Sequence, residues 1–183
     1  PISLQQYLDA NATGASLPDK SVLITFDDGY ISFYNEVFPL LKKYQFPAAL
    51  AVVTSWLEGR KPPDVGPLVN WQQIREMEAS GLVAVASHSH NLHHPVTANV
   101  FGDRGEAGAA LICHDGQYES LESYRSRIAG DLAETQAVFE RELGHKAEVL
   151  VWPYGEYTLP GIEEGRRQGF KAFFTLGSGI NPV

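Results

Sequence analysis

The sequence predicts an α/β fold with a parallel sheet. Five short apolar runs alternate with longer segments whose apolar residues have helical spacing. A chain that alternates strand and helix builds parallel strands joined by right-handed crossovers. The 183 residues are enough for one domain with a sizeable core. Three of the apolar runs end in clusters of polar residues, which indicates where a functional site would form.

Composition excludes several functional classes. Apolar residues make up 44% of the chain and charged residues 20%, as in globular proteins. The net charge of −8, without a basic cluster, argues against a nucleic-acid partner. No apolar run approaches the roughly 18 residues of a membrane-spanning helix. The single Cys113 excludes an internal disulfide and a cysteine zinc site.

The predicted strands and helices follow from the spacing of apolar residues and from the residues that break or cap helices. Strands are predicted from short apolar runs, and helices from apolar residues three or four positions apart. Pro39 lies inside the first predicted helix and predicts a break or kink there. Asn70 is a suitable N-cap for the second, and Gly144 closes the third. The predicted strands are 21–26, 48–53, 82–86, 148–152 and 171–176, and the predicted helices are 32–44, 71–79, 121–143 and 159–168.

The stretch 95–117 has no clear period and is rich in Gly and Ala. We expect an irregular insertion at about 95–117. Long insertions of this kind are often functional.

Polar residues follow three predicted strands, in "TFDDG", "ASHSHNLHH" and "VWPYG". The carboxyl ends of parallel strands meet at one edge of the sheet, where α/β folds bind their ligands. Because side chains alternate along a strand, Asp27 and Asp28 can share a site only if the strand has already ended. Gly29 permits such an end. Two acids after a strand are more often a helix cap, so the argument depends on the three clusters together.

The histidine cluster predicts a metal site. Four histidines fall within seven residues: His88, His90, His93 and His94. One carboxylate and two neutral imidazoles bind zinc or a similar divalent ion and leave a position open for water. A second acid beside the metal is then free to take a proton from that water, which predicts hydrolytic chemistry.

These motifs resemble those of the polysaccharide deacetylase family, the carbohydrate esterases with a NodB-type domain. "TFDDG" is similar to the family's first motif, which implies that Asp27 is the catalytic base and Asp28 a metal ligand. The second motif is usually H-[ST]-x-x-H. His90 and His94 have its four-residue spacing, whereas the pair His88 and His93 has Ser89 in the [ST] position. His88 and His93, five apart, resemble the branch that acts on poly-β-1,6-N-acetyl-D-glucosamine. "LPDKSVLITFDDGY" and "VLVWPYGEY" also resemble that branch, so we favour His88 and His93 and leave the other pair open.

The resemblance implies a distorted (β/α) barrel, incomplete in this chain. Five strands are fewer than the seven or eight of a closed α/β barrel, and the family's general acid, a histidine in an L-x-H-type motif, has no match. We therefore expect residues 1–183 to be a single deacetylase domain truncated at its N-terminus. Val151 stands where the wider family's third motif, R-x-P-Y, has an arginine that orients the base. His114 is a weak substitute for the acid.

The implied function is metal-dependent removal of N-acetyl groups from poly-β-1,6-N-acetyl-D-glucosamine, an exopolysaccharide of the biofilm matrix. Asp28, His88 and His93 would hold zinc, nickel, cobalt or iron, and the backbone N–H of Tyr154 would stabilise the oxyanion. The implied partner is an N-acetylglucosamine polymer outside the cytoplasm, in the periplasm or at the cell surface. The full protein could carry a second glycan-binding or hydrolase domain.

Three other functions fit the sequence less well. A chitin or peptidoglycan deacetylase would use the same machinery on another polymer. A binding module that has lost catalysis would not need a base beside a metal. A glycosidase separates its two carboxylates by about 5 Å or more and needs no histidine cluster.

Overall fold

The computed structural model describes residues 1–179, and a five-stranded parallel sheet forms its centre. The strands of this sheet stand in the order β1-β2-β3-β8-β9. The strands are β1 Thr25–Phe26, β2 Ala48–Val52, β3 Val83–Ser87, β4 Pro95–Thr97, β5 Arg104–Glu106, β6 Cys113–His114, β7 Gln117–Tyr118, β8 Val149–Val151 and β9 Ala172–Phe174. The helices are α1 Leu4–Thr13, α2 Phe38–Tyr44, α3 Trp71–Ala79, α4 Leu121–Leu143 and α5 Leu159–Arg167.

The predicted α/β fold is confirmed, since all five predicted strands form and every pair is parallel. Helices α3 and α4 have the predicted bounds. The predicted break near Pro39 is a change of helix type, because the π-helical segment Phe33–Val37 precedes α2. Helix α1 was not predicted, although Ser3 and Gln6 form a capping box at its start. None of the described helices is both long and apolar enough to cross a bilayer.

The two faces of the sheet differ in side-chain size. On β2, Leu50 and Val52 point into the larger core cluster, which the helices α2, α3 and α4 cover. The alternate residues, Ala49 and Ala51, point to the opposite face, as the period of two requires. Small residues continue along that inner face, where Leu4 of α1 packs against them. The sheet curls around this inner face as a half-barrel.

The expectation of an irregular insertion at 95–117 is wrong in one respect. The segment and the residues just after it contain two antiparallel hairpins, β4–β5 and β6–β7. Arg127 of α4 donates hydrogen bonds to the carbonyls of Ala107 and Ala110. Tyr124 of α4 donates to the Gly108 carbonyl. These contacts join the insertion to a helix that follows it in the chain. The spacing of apolar residues within the insertion therefore did not indicate them.

Two helical glycines allow a matched test of this packing. A methyl group added at Gly165 would overlap the ring of Phe173 on β9, whereas one added at Gly130 would have no described atom within 4 Å beyond its chain neighbours and the backbone of its own helix. We expect Gly165→Ala to lower the free energy of unfolding by about 1–3 kcal/mol through overpacking. We expect Gly130→Ala to raise it by about 0.5–1 kcal/mol, because alanine loses less backbone entropy in a helix. Urea unfolding measures both, and equal effects would contradict the packing of α5 on β9.

Candidate metal centre

The predicted site residues lie at the carboxyl ends of β1, β3 and β8. Asp27 and Asp28 follow β1, His88 and His93 follow β3, and Tyr154 follows β8. All line one pocket of about 660 Å³, which extends down the inner face of the sheet to Ile2, Tyr7 and Phe174. The structure therefore brings together all five residues that the sequence singled out for this site.

A left-handed turn lets two consecutive acids line the same pocket. The backbone φ angle of Asp28 is +72° and that of Gly29 is +80°. The Gly29 N–H donates a hydrogen bond to the Asp27 carbonyl, which closes the turn. A side chain at position 29 would also press on Val52, since an added Cβ would lie 3.2 Å from its Cγ1 atom. Glycine is therefore required here for two reasons, backbone conformation and close approach.

Asp28, His88 and His93 present their ligand atoms to one another, all within 4.8 Å. Asp28 Oδ1 lies 3.3 Å from His93 Nε2 and 3.6 Å from His88 Nε2. The same Oδ1 atom is shielded from solvent and has no hydrogen-bond partner among residues 1–179. A buried carboxylate oxygen without a partner is costly. A divalent cation shared with the two imidazoles would satisfy it, so these residues fit a metal ion.

Hydrogen bonding fixes the tautomer of His88. Its Nδ1 lies 2.8 Å from the Val151 carbonyl, which can only accept, so Nδ1 carries the proton. Nε2 then has a free lone pair directed towards Asp28. Burial lowers the pKa of His93, and the neighbouring His88 lowers it further. Both features favour the neutral imidazoles that metal ions require.

His90 occupies a different environment. Arg60 Nη2 donates to its Nε2 at 2.7 Å, so His90 Nδ1 carries the proton and donates to Thr54 Oγ1 at 2.8 Å. Burial and Arg60 lower the pKa of His90. Both ring nitrogens are thus used in hydrogen bonds, and neither His90 nor His94 belongs to the group around Asp28.

Asp27 lies beside this group without joining it. Its side chain keeps contact with solvent. Partial desolvation in the pocket raises the pKa of Asp27; the His88 imidazole opposes this rise and the adjacent Asp28 carboxylate adds to it. A carboxylate with a raised pKa is a better proton acceptor, which is the property a general base needs.

Aromatic rings surround His93. The Tyr154 ring centroid lies 4.4 Å from that of His93, and the buried Trp56 ring lies 4.8 Å away. Tyr154 has a φ angle of +58°, in the left-handed region, and its side chain is 42% exposed. Trp56 and Trp152 are buried, so they support the site from the core. Tyr30, which follows the acid pair, is partly exposed.

His114 does not line the pocket. It lies on the exposed β6–β7 hairpin, where its ring contacts Asp115. This position does not support a part for His114 in proton transfer.

One residue near the site, Asp131 of α4, was not predicted from the sequence. Its carboxylate accepts hydrogen bonds from the backbone N–H groups of His90 and Asn91. Desolvation raises the pKa of Asp131 to about 6, against the effect of these two donors. A signal was present, because Asp131 is an acid within the buried stripe of α4 that includes Ile128 and Leu132.

The sequence is related to those of known proteins. Residues 14–173 match the family model described as polysaccharide deacetylase. A poly-β-1,6-N-acetyl-D-glucosamine N-deacetylase of Escherichia coli K12 is 38% identical over 191 residues, covering 98% of this chain. The chain spans only 28% of the length of that relative.

Solved structures have the same fold as this chain. A de-N-acetylase from Aggregatibacter actinomycetemcomitans superposes with a TM-score of 0.90 at 38% identity, covering 98% of this chain and 72% of that one. The BpsB deacetylase domain from Bordetella bronchiseptica gives the same TM-score, identity and coverage. The half-barrel matches the incomplete (β/α) barrel of such structures, so the predicted fold class is confirmed. The chain belongs to the polysaccharide deacetylase family.

Proposed function

We propose that this chain is the catalytic domain of a metal-dependent enzyme that removes N-acetyl groups from poly-β-1,6-N-acetyl-D-glucosamine. The observation that carries the proposal is the buried, unpartnered Oδ1 atom of Asp28 facing the Nε2 atoms of His88 and His93. The choice of substrate rests on the relatives that are named for that reaction. Chitin or peptidoglycan deacetylation is the alternative on the same machinery.

Asp28, His88 and His93 would hold the divalent cation, with zinc, nickel, cobalt or iron as candidates. One carboxylate and two imidazoles suit such ions and leave coordination positions open. A cation held there acidifies water and polarises a carbonyl group. His88 meets this role with its proton held on Nδ1 by the Val151 carbonyl.

Asp27 would act as the general base. It accepts a proton from water as the water oxygen attacks the carbonyl carbon of the acetamide. The Tyr154 N–H donates to the carbonyl oxygen as negative charge develops on it. The C–N bond then breaks and yields acetate and a free amine. The amine must also receive a proton, and the family resemblance assigns this step to a histidine for which this sequence has no match.

The proposed substrate implies a location outside the cytoplasm, in the periplasm or at the cell surface. Deacetylation frees amines that become positively charged, and the net charge of −8 would attract such a product. A second glycan-binding or hydrolase domain in the full protein is also proposed, since the E. coli relative is much longer than this chain.

Replacing the base tests the mechanism. We expect Asp27→Asn to lower kcat about 10²–10⁴-fold, because the amide cannot accept the proton from water. Metal content should be unchanged, because Asp27 stands outside the ligand group. Amine release from N-acetylglucosamine oligomers measures kcat, and elemental analysis measures the metal. Wild-type turnover in the variant would refute the assignment of Asp27.

Two adjacent histidines separate the two ligand registers. We expect His93→Ala to abolish stoichiometric metal binding, since its Nε2 faces Asp28. His94→Ala should retain the metal within a few-fold of wild-type affinity. Titration of the metal-free proteins with Zn²⁺ in competition with a chromophoric chelator measures both affinities. The opposite order would favour the pair His90 and His94.

Linkage specificity separates the proposed substrate from its alternative. We expect kcat/KM for β-1,6-linked N-acetylglucosamine oligomers to exceed that for β-1,4-linked oligomers of equal length by about tenfold or more, a difference of about 1.4 kcal/mol in transition-state binding. A preference for the β-1,4 linkage would identify a chitin or peptidoglycan deacetylase while leaving the metal chemistry intact.

A further inference from the structure

We infer that Asp131 is a positioning residue for the metal centre, whose carboxylate fixes the loop that carries both ligand imidazoles. This inference rests on the proposed function, because it assigns Asp131 a role towards the metal. The ligand loop is defined as residues 88–93, from one imidazole to the other.

The carboxylate of Asp131 accepts hydrogen bonds from the backbone in the middle of the ligand loop. Its Oδ2 atom accepts from the His90 N–H at 2.9 Å, and its Oδ1 atom accepts from the Asn91 N–H at 2.6 Å. Both oxygens are used on two consecutive peptide groups, which fixes the orientation of the backbone as well as its distance. Hydrogen bonds to a charged acceptor are also stronger than those between neutral groups.

The opposite edge of the same loop is held by the segment after β2. The Thr54 N–H donates to the Ser89 carbonyl at 3.2 Å, and the Ser55 N–H donates to the His90 carbonyl at 3.1 Å. The loop is therefore held between the segment after β2 on one side and α4 on the other. Asp131 supplies the contacts from α4.

The ligand loop needs this external support. Ser89 has a φ angle of +72°, which is unfavourable for a residue with a side chain. Within the loop, Ser89 Oγ accepts from the Leu92 N–H at 3.1 Å. The five-residue spacing of the imidazoles thus depends on a strained backbone that its surroundings must hold in place.

Asp131 is itself held in place by a long, well-packed helix. It lies in the 23-residue helix α4, next to the fully buried Leu132 and one turn after the fully buried Ile128. Removal of its carboxylate would leave the N–H groups of His90 and Asn91 without their acceptor. The loop would then shift, and both Nε2 atoms would move relative to Asp28. Loss of a hydrogen-bond partner of a ligand side chain typically weakens metal binding 10–100-fold, and we expect a shift of the backbone that carries the ligands to act on the same scale.

The test compares Asp131→Asn with Glu134→Gln, which removes an exposed carboxylate three residues later on the same helix. The metal-free proteins are titrated with Co²⁺ and followed by the visible absorption of the bound ion. We expect about 10–100-fold weaker binding and an altered absorption spectrum for Asp131→Asn. Glu134→Gln should stay within about twofold of wild type, with an unchanged spectrum.

Two further measurements separate positioning from folding. Circular dichroism melts of the metal-free proteins show whether Asp131→Asn is folded at the titration temperature. Asp131→Glu keeps the charge but moves the carboxylate by one methylene, and we expect a Co²⁺ affinity between those of wild type and Asp131→Asn. If Asp131→Asn does not fold, the Co²⁺ affinity and spectrum of Asp131→Glu are compared with those of wild type instead.

Wild-type affinity and spectrum in folded Asp131→Asn, or in Asp131→Glu when the asparagine variant is unfolded, would overturn the inference. An equal loss in Glu134→Gln would also overturn it, because the effect would then be one of net charge. Failure of the wild-type protein itself to bind Co²⁺ would instead overturn the proposed function, and the role of Asp131 with it.

Discussion

The arrangement of the site depends on one unsatisfied atom, Asp28 Oδ1. It is buried, faces two imidazole nitrogens and has no hydrogen-bond partner in the part of the chain that the structure describes. A group of acceptors at this spacing is unfavourable unless a cation lies among them. The surrounding features are consistent with that requirement: the Val151 carbonyl keeps the His88 proton on Nδ1, and burial favours neutral His93. The adjacent Asp27 stays outside the group, in contact with solvent, where a base has access to water.

Helix α4 organises the parts of the fold that meet around this site. Arg127 binds the backbone of the hairpin segment, and Asp131 binds the ligand loop. Two residues before Arg127, Arg125 forms ion pairs with Glu163 and Glu164 of α5. A single rigid helix therefore positions the insertion, the imidazoles and the last helix relative to one another. Long-range contacts of this kind explain how a loop with little secondary structure can present two ligands accurately.

The inner face of the sheet explains the shape of the pocket. Alanines at positions 49, 51 and 86 allow Leu4 and Leu8 of α1 to pack directly against the sheet. The pocket extends from the acid pair along the inner face, past Tyr7 and Phe174, whose rings contact each other edge to face. Exposed Tyr154 stands at the end of the pocket that contains the acid pair, where a sugar ring could contact it. Tyr7 of α1 and Phe174 of β9 line the pocket beyond the acid pair.

The sequence by itself determined the strand order along the chain, the bounds of α3 and α4, and the residues that could form a site, because hydrophobic period, capping residues and dense polar clusters are local signals. The choice between His88 with His93 and His90 with His94 depended on resemblance alone. Only the tertiary structure decided which imidazoles face Asp28 and which one binds Thr54 and Arg60. The support from Asp131 and the hairpins within the insertion also required it. The contacts of His90 and Asp131 join residues 30 or more positions apart, and the contacts of the hairpin segment with α4 join residues 16–20 positions apart, so no local pattern encodes them.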